Sequence, residues 1–165
     1  MEEPLKRQIM LFGAICRVNN QYQSIGDKYY NGISLKQEYL LSLMEYSFSD
    51  KSPTLNELAE SMGSSHQNVK QIVLKLVEKG YLTIEQDQQD KRKRRVCFTR
   101  KYLDNREKFV KRRDVFIRRI FNNVSDEEIE SSLEVMGKII KNQKKMLDNE
   151  DFTKEIFKEQ TDESI

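Results

Sequence analysis

Two clusters of polar side chains in the middle of the chain have the chemistry to read nucleic acid. The first lies on a stretch with helical periodicity and consists of Ser65, His66, Gln67, Asn68, Lys70, Gln71 and Lys75. Amides pair with two atoms of an adenine edge, and Lys reaches guanine or phosphate. The pattern predicts a helix that enters the major groove of double-stranded DNA, with a phosphate near its first backbone N–H groups. A solvated polar face, which any surface helix has, is the alternative.

The second cluster is a cationic loop, DQQDKRK, and the residue that follows it. Its candidate DNA contacts are Asp90, Lys91, Arg92, Lys93 and Arg94. Arg and Lys on a projecting loop can enter the narrow minor groove or bind its phosphates. We expect the Asp90 carboxylate to accept hydrogen bonds from the Arg92 guanidinium and to fix its direction. A solvated turn with an incidental acid is the alternative.

The elements around these clusters follow the order helix, tight turn, helix and charged hairpin. Thr54 opens a short helix with Glu57 as its capping-box partner, and Gly63 suits the left-handed backbone that ends it. The next helix takes Ser65, or the serine before it, as N-cap. Its apolar stripe consists of Val69, Ile72, Val73, Leu76 and Val77. After Gly80 come two candidate strands, YLTIEQ and RRVCFT, in which apolar and polar residues alternate.

A longer helix is predicted before this core, over residues 5–22. Its apolar residues recur at helical spacing, and the two glycines of QYQSIGDKYYNGI are expected to break or kink it. A second helix begins after the N-cap Ser34, with Gln37 completing a capping box.

Two helices are predicted after the hairpin. The first covers residues 102–122, and the second begins at the capping box 125–128 and continues through Leu147. The stretch from Asp148 is acidic and weakly patterned, so that either a short docked helix or disorder fits it.

Positive charge is concentrated in one segment. The chain has 29 Lys/Arg and 27 Asp/Glu. Residues 87–119 hold 14 Lys/Arg against 5 Asp/Glu, a net charge of +9, whereas residues 1–86 have −1 and residues 120–165 have −6. This asymmetry favours a polyanionic partner. For residues 106–119, a solvated charged helix explains the charges equally well.

The composition favours a mainly helical protein with a shallow core. Hydrophobic residues make up 37% and charged residues 34%, below and above the usual shares respectively. A core of this kind is often completed by a partner subunit.

The sequence gives no sign of catalysis, a metal site or a cofactor. The chain has one histidine, and it lacks the phosphate-binding, dinucleotide-binding and zinc-protease motifs. Its two cysteines, Cys16 and Cys97, suggest reduced thiols in a cytoplasmic protein. The sequence has no run of 18 apolar residues, so no membrane span is predicted. The first residues look like a helix and not a signal peptide.

The motifs resemble those of the MarR family of winged helix-turn-helix transcriptional regulators. The most specific match is Asp90-x-Arg92 with Thr99 seven residues beyond the arginine, preceded by Phe98 where the family usually has Leu. Further matches to the helix-turn-helix are Leu58-Ala59, Gly63-x-Ser65, Val69, Leu76 and Gly80-Tyr81-Leu82. The resemblance covers about residues 5–147.

The resemblance implies a mainly α fold and a single domain, 1–165. A winged helix-turn-helix core, 34–100, would lie between dimerisation helices, 5–22 and 102–147, with an acidic tail at 148–165. It implies an obligate homodimer with interlocked terminal helices, bound to a palindromic double-stranded DNA operator. Many relatives release DNA when a small molecule binds between the two parts.

The family also gives Cys16 a context, because redox-sensing relatives keep a reactive cysteine in the first helix. Here Cys16 lies several residues further along, so we expect a buried structural thiol. Two other functions remain open: a winged-helix interaction module and a non-specific DNA-packaging protein. The amide-rich face favours sequence-specific recognition, since packaging requires cations more than Asn or Gln.

Overall fold

The computed structural model describes residues 2–148. Its elements are α1 (Glu3–Tyr29), α2 (Leu35–Ser47), α3 (Leu55–Ser61), α4 (His66–Glu78), β1 (Leu82–Gln86), β2 (Arg94–Phe98), α5 (Arg100–Ile120) and α6 (Asp126–Asp148). The first compact unit ends at Arg118 and the second begins at Arg119. The predicted tail lies outside the described residues, apart from Asp148. Within residues 2–148, no helix is long and apolar enough to cross a membrane.

The predicted helix starts are confirmed. Ser34 caps α2 and Thr54 caps α3, each in a complete capping box with the residue at the third helical position, Gln37 or Glu57. Ser65 caps α4, where its side chain accepts a hydrogen bond from the backbone N–H of Asn68 at 3.2 Å. These caps satisfy backbone N–H groups that have no partner inside the helix.

The core of the first unit lies where α2, α3, α4 and the hairpin meet. Its buried side chains include Leu40, Leu41, Met44, Leu58, Ala59, Val69, Ile72, Val73, Leu76, Leu82 and Val96. The predicted α4 stripe is thus buried, except that Val77 is half-buried. The antiparallel strands pair Leu82 with Phe98 and Ile84 with Val96, so alternate side chains point towards the helices. The predicted mainly α winged-helix fold is confirmed.

The predicted break after residue 22 is wrong, because α1 continues to Tyr29. Gly26 lies inside the helix and is buried against Leu35, whose Cβ would be 2.7 Å from an added Cβ on the glycine. The extra turns are held by aromatic packing. The rings of Tyr29 and Tyr30 each lie 5.0 Å from that of Phe116 in α5, and the Tyr29 hydroxyl donates to the Arg112 carbonyl at 3.0 Å. Tertiary packing therefore overrides the low helix propensity of glycine.

The expectation of a buried thiol at Cys16 is also wrong for the single chain. Cys16 is a free, exposed cysteine, and Gly26 is the only buried residue of α1. The other cysteine, Cys97, is half-buried in β2.

The second unit contains α6. Ser125 opens the helix as predicted: its hydroxyl accepts from the Glu128 backbone N–H at 3.2 Å, and the Glu128 carboxylate accepts from the Ser125 N–H at 2.8 Å. Three acidic residues in the first turn stabilise the helix, because their negative charges interact favourably with the positive end of the helix dipole. None of residues 126–148 is buried.

Candidate nucleic-acid interface

The polar face of α4 has the exposure that DNA contact requires. Ser65, His66, Gln67, Asn68, Lys70, Gln71 and Lys75 are all exposed. Apolar residues on the opposite face, such as Val69 and Leu76, are fully buried and fix the rotation of the helix. The amide and ammonium groups therefore point away from the core. Their contact with DNA stays a prediction.

Asn68 has less freedom than the sequence suggests. Its Nδ2 donates to the Ser64 hydroxyl at 2.8 Å, while its backbone N–H donates to Ser65. The side chain thus keeps its carbonyl oxygen as the main group for an external partner. Among residues 2–148, no hydrogen bond involves the side chain of Gln71, so its whole amide is available.

The wing, which is the hairpin of β1, β2 and their loop (residues 82–98), carries the second cluster. Lys91, Arg92, Lys93 and Arg94 are exposed. Within the described part of the chain, no side chain pairs with the Arg92 guanidinium, whereas the Lys93 ammonium lies 3.6 Å from an Asp90 carboxylate oxygen. The tip therefore presents strong positive potential to solvent.

The predicted contact between Asp90 and the Arg92 guanidinium is wrong. Asp90 Oδ1 accepts from the backbone N–H of Arg92 at 3.1 Å, and Asp90 Oδ2 faces Lys93. A carboxylate readily accepts from a backbone N–H two residues ahead, because this closes a local turn. Asp90 thus shapes the loop backbone and leaves the Arg92 side chain free to reach outward.

Asp87 organises the wing loop, a role that the sequence reasoning missed. Its Oδ1 accepts from the backbone N–H groups of Gln89 and Asp90, both at 2.9 Å, and its Oδ2 accepts from Arg95 Nε at 2.6 Å. These hydrogen bonds hold the pKa of Asp87 well below its usual range. The carboxylate is therefore ionised at any physiological pH.

Arg95 was also missed, because it looks like one more cation in the run from Lys91. Its side chain is turned inward and is only 12% exposed. Besides Asp87, it contacts Glu57 Oε2 and the Ser52 carbonyl through Nη1, both at 3.1 Å. Backbone N–H donation by Thr54 and the charge of Arg95 lower the pKa of Glu57. The only local sign was Asp87, an acid eight residues before Arg95 in the same hairpin.

A buried ion-pair cluster joins α2 to α5 behind the helix-turn-helix. Arg113 Nη2 donates to Glu45 at 3.1 Å, and Arg113 Nη1 lies 3.5 Å from Glu38 Oε1. Burial raises the pKa of Glu38 to about 7, although the nearby Arg113 and Arg112 oppose the shift. Within residues 2–148, Glu38 Oε2 has no hydrogen-bond partner. Glu38 is thus a buried carboxyl that titrates near neutrality.

Comparison with known proteins places these features in a family. Residues 23–106, just over half of the chain, match the family described as DnaD N-terminal domain. The chain belongs to that domain family. The matched segment runs from the end of α1 into α5, and so contains the whole helix-turn-helix and the wing. No curated protein sequence matches the chain.

Solved structures with the same fold include proteins described as MarR-family transcriptional regulators. AbfR of Staphylococcus epidermidis is 18% identical, with a TM-score of 0.70, and the match covers 87% of this chain and 97% of that one. MepR of S. aureus in complex with DNA is 20% identical, with a TM-score of 0.63 and coverage of 81% and 94%. BpsR of Bordetella bronchiseptica is 15% identical, with a TM-score of 0.65 and coverage of 77% and 90%; it is described with regulation of its DNA binding by 6-hydroxynicotinic acid.

These similarities confirm the MarR-like winged-helix fold that the motifs predicted. At such identities, they concern the fold alone.

Proposed function

We propose that the protein is a sequence-specific, double-stranded DNA-binding transcriptional regulator. One observation carries the proposal: a single winged helix exposes both the amide-bearing face of α4 and the cationic tip of the wing. The amides suit base edges in the major groove, and the cations suit the minor groove or its phosphates. The match in fold to MepR, described as a DNA complex, supports this assignment.

We further propose that the protein is a homodimer on a palindromic operator, with one α4 in each half-site. Helix α1 supports this proposal, since a 27-residue helix with one buried residue is a poor element for a monomer. Its exposed apolar side chains recur at helical spacing along one stripe that includes Leu5, Ile9 and Phe12. Among these side chains, that of Phe12 is 68% exposed. Apolar surface of this extent usually marks an interface.

Helix α6 supports the dimer independently. Leu133, Ile140 and Leu147 are exposed and lie seven residues apart; half-buried Ile129 lies four residues before Leu133, and half-buried Met136 lies between Leu133 and Ile140. Apolar residues at alternating four- and three-residue steps form the seam along which helices pack in coiled coils. We therefore assign α6 to dimerisation, as predicted for residues 102–147.

A small-molecule effector is part of the same proposal. BpsR, with the same fold, is described with regulation of its DNA binding by 6-hydroxynicotinic acid, a small molecule. In this chain, the buried Glu38–Arg113 cluster between α2 and α5 holds polar groups that a bound molecule would disturb. Binding that favours one arrangement of the winged helix would shift the affinity for DNA.

Selection from a library of genomic DNA fragments at several salt concentrations tests the proposal. A regulator retains a few palindromic fragments, bound at least ~10³-fold more tightly than bulk DNA. Uniform weak binding with a steep salt dependence would indicate DNA packaging. The absence of any DNA binding would indicate an interaction module.

A further inference from the structure

Arg95 connects the wing to the first helix of the helix-turn-helix. Its guanidinium contacts Asp87 in the wing loop, Glu57 in α3 and the Ser52 carbonyl before α3. The backbone makes the same connection, because the Val96 N–H donates to the Pro53 carbonyl at 2.8 Å. Arg95 and its partners therefore form a brace between the wing and α3.

The brace also reaches the tip of the wing. Asp87, which accepts from Arg95 Nε, holds the backbone N–H groups of Gln89 and Asp90 with its other oxygen. Asp90 in turn holds the backbone of Arg92. A continuous set of hydrogen bonds thus runs from α3 to the residue that presents its guanidinium to solvent.

The other end of the brace is connected to the recognition helix, α4. Helix α3 ends at the turn 62–65, packs against α4 through buried Leu58 and Ala59, and has Glu57 in its capping box. A planar guanidinium can bind several acceptors in fixed directions, which an ammonium cannot. Arg95 therefore limits how far the wing can move relative to α4.

We propose that Arg95 is a positioning residue that sets the spacing between the wing tip and α4, and thereby selects operators with the matching groove spacing. The inference rests on the proposed function. Two recognition elements contribute together only when their separation is fixed before binding, since ordering them at the moment of binding costs affinity.

The buried position of the Arg95 charge leads to a separate prediction about the affinity for bulk DNA. Because its guanidinium faces Asp87 and Glu57 at 12% exposure, it adds little to the phosphate-binding charge of the wing. Non-specific affinity depends on that charge, and specific affinity also depends on geometry. Loss of the brace should therefore reduce selectivity while bulk binding stays unchanged.

The test compares Arg95→Lys with the matched control Arg7→Lys, the same exchange at an exposed arginine of α1 outside the candidate DNA contacts. The net charge of both variants equals that of the wild type. Arg95→Lys is expected to lower affinity for the selected operator roughly tenfold, as for loss of hydrogen bonds between charged groups. Its affinity for bulk DNA and its salt dependence should match the wild type, and Arg7→Lys should differ little in any measurement.

Hydroxyl-radical footprinting separates positioning from general loss of structure. Arg95→Lys is expected to lose protection of the minor groove beside each half-site and to keep protection at the α4 contact. Equal loss at both places, or a footprint identical to that of the wild type, overturns the inference. Measurements are made well below the thermal midpoint of each variant, so that unfolding does not contribute.

A double-mutant cycle with Asp87→Asn tests whether Arg95 acts through the brace. Asp87→Asn keeps an acceptor oxygen for the loop N–H groups but loses the charge that Arg95 binds. Non-additive effects on operator affinity support the inference, and additive effects overturn it. If the wild type selects no operator, the proposed function fails; if it does and Arg95→Lys behaves identically, only the brace fails.

Discussion

Arg92 lies at the exposed tip of the wing, with its side chain directed to solvent and its backbone fixed by Asp90. We expect Arg92→Ala to lower operator affinity roughly tenfold and to reduce the salt slope by about 1, as for loss of one phosphate contact. Fluorescence anisotropy over a salt series measures both. Arg7→Ala removes the same charge from exposed α1 and serves as control. Unchanged affinity of Arg92→Ala would show that the wing tip does not contact DNA.

Gln71 offers the cleanest test of base recognition by α4. Unlike Asn68, whose amide nitrogen donates to Ser64, Gln71 has a side chain that makes no hydrogen bond among the described residues. We expect Gln71→Ala to cost ~1–3 kcal/mol on the operator and to relax preference at one base pair. Binding to a panel of single-base-pair variants measures this. A uniform loss over the whole panel would argue against a base contact.

Residues whose partners lie within one helical turn are predictable from the sequence. Ser34, Thr54 and Ser65 were identified as caps because the interaction depends on spacing alone. The contacts of Arg95 are not, since its partners Glu57 and Ser52 lie about forty residues away in the chain. In the sequence, that arginine cannot be distinguished from the exposed cations before it. The predicted partner of Asp90 is wrong for a similar reason. The backbone N–H and the guanidinium both belong to Arg92, two residues away, so sequence spacing cannot distinguish them.

At the scale of the element, two glycines of α1 have opposite expected effects when replaced. Gly13 has nothing within 4 Å of an added Cβ, so Gly13→Ala should stabilise by up to ~1 kcal/mol through helix propensity. Gly26→Ala should destabilise by ~1–3 kcal/mol because its Cβ would clash with Leu35. Urea unfolding of the two variants measures the free energies. Stabilisation by Gly26→Ala would contradict the close packing of α1 and α2.

Helix α6 provides the test of dimerisation. Leu133→Glu combined with Ile140→Glu places two charges on the apolar seam, and we expect a shift from dimer to monomer because buried unpaired charges are costly. Lys138→Glu adds the same side chain on the opposite face and should remain dimeric. Sedimentation equilibrium gives the masses. A wild-type monomer at micromolar concentration would refute the dimer itself.

The order of elements was predictable, but one boundary was not. The helix, turn, helix and hairpin of residues 54–98 are each signalled by caps, glycines and periodicity. The end of α1 was misplaced because Gly26 looks like a breaker until Leu35 is known to lie against it. Close packing between distant residues has no local signature, so a glycine that permits it is easily mistaken for one that ends a helix.

At the scale of the whole molecule, Glu38 should make stability depend on pH near neutrality. Burial raises its pKa from 4.5 to about 7 in the folded state, so the folded protein holds a proton that the unfolded chain has released. The groups facing Glu38 are Arg112, Arg113 and Tyr102 of α5, Tyr30 after α1, and Ser42 and Glu45 of α2. The free energy of unfolding should therefore fall as pH rises from about 5 to about 8, by on the order of 2 kcal/mol.

Thermal and urea unfolding at several pH values measure this dependence, with Glu38→Gln as the variant that cannot titrate. The slope between pH 5 and pH 8 should be lost in the variant. The carboxylates with lowered pKa, Asp87 and Glu57, act in the opposite direction and only at lower pH, since their stabilisation is lost on acidification. A wild-type stability independent of pH in this range would mean that Glu38 stays ionised.

The wing tip has a practical consequence for experiments on the intact protein. Trypsin cleaves after Lys and Arg, and three such residues, at positions 91–93, follow one another on the exposed loop of the wing. The hydrogen bonds of Asp87 and Asp90 must open before a protease can bind this segment in extended form. The rate of cleavage at this loop therefore reports how tightly it is closed, and a bound duplex that covers it will slow the cut.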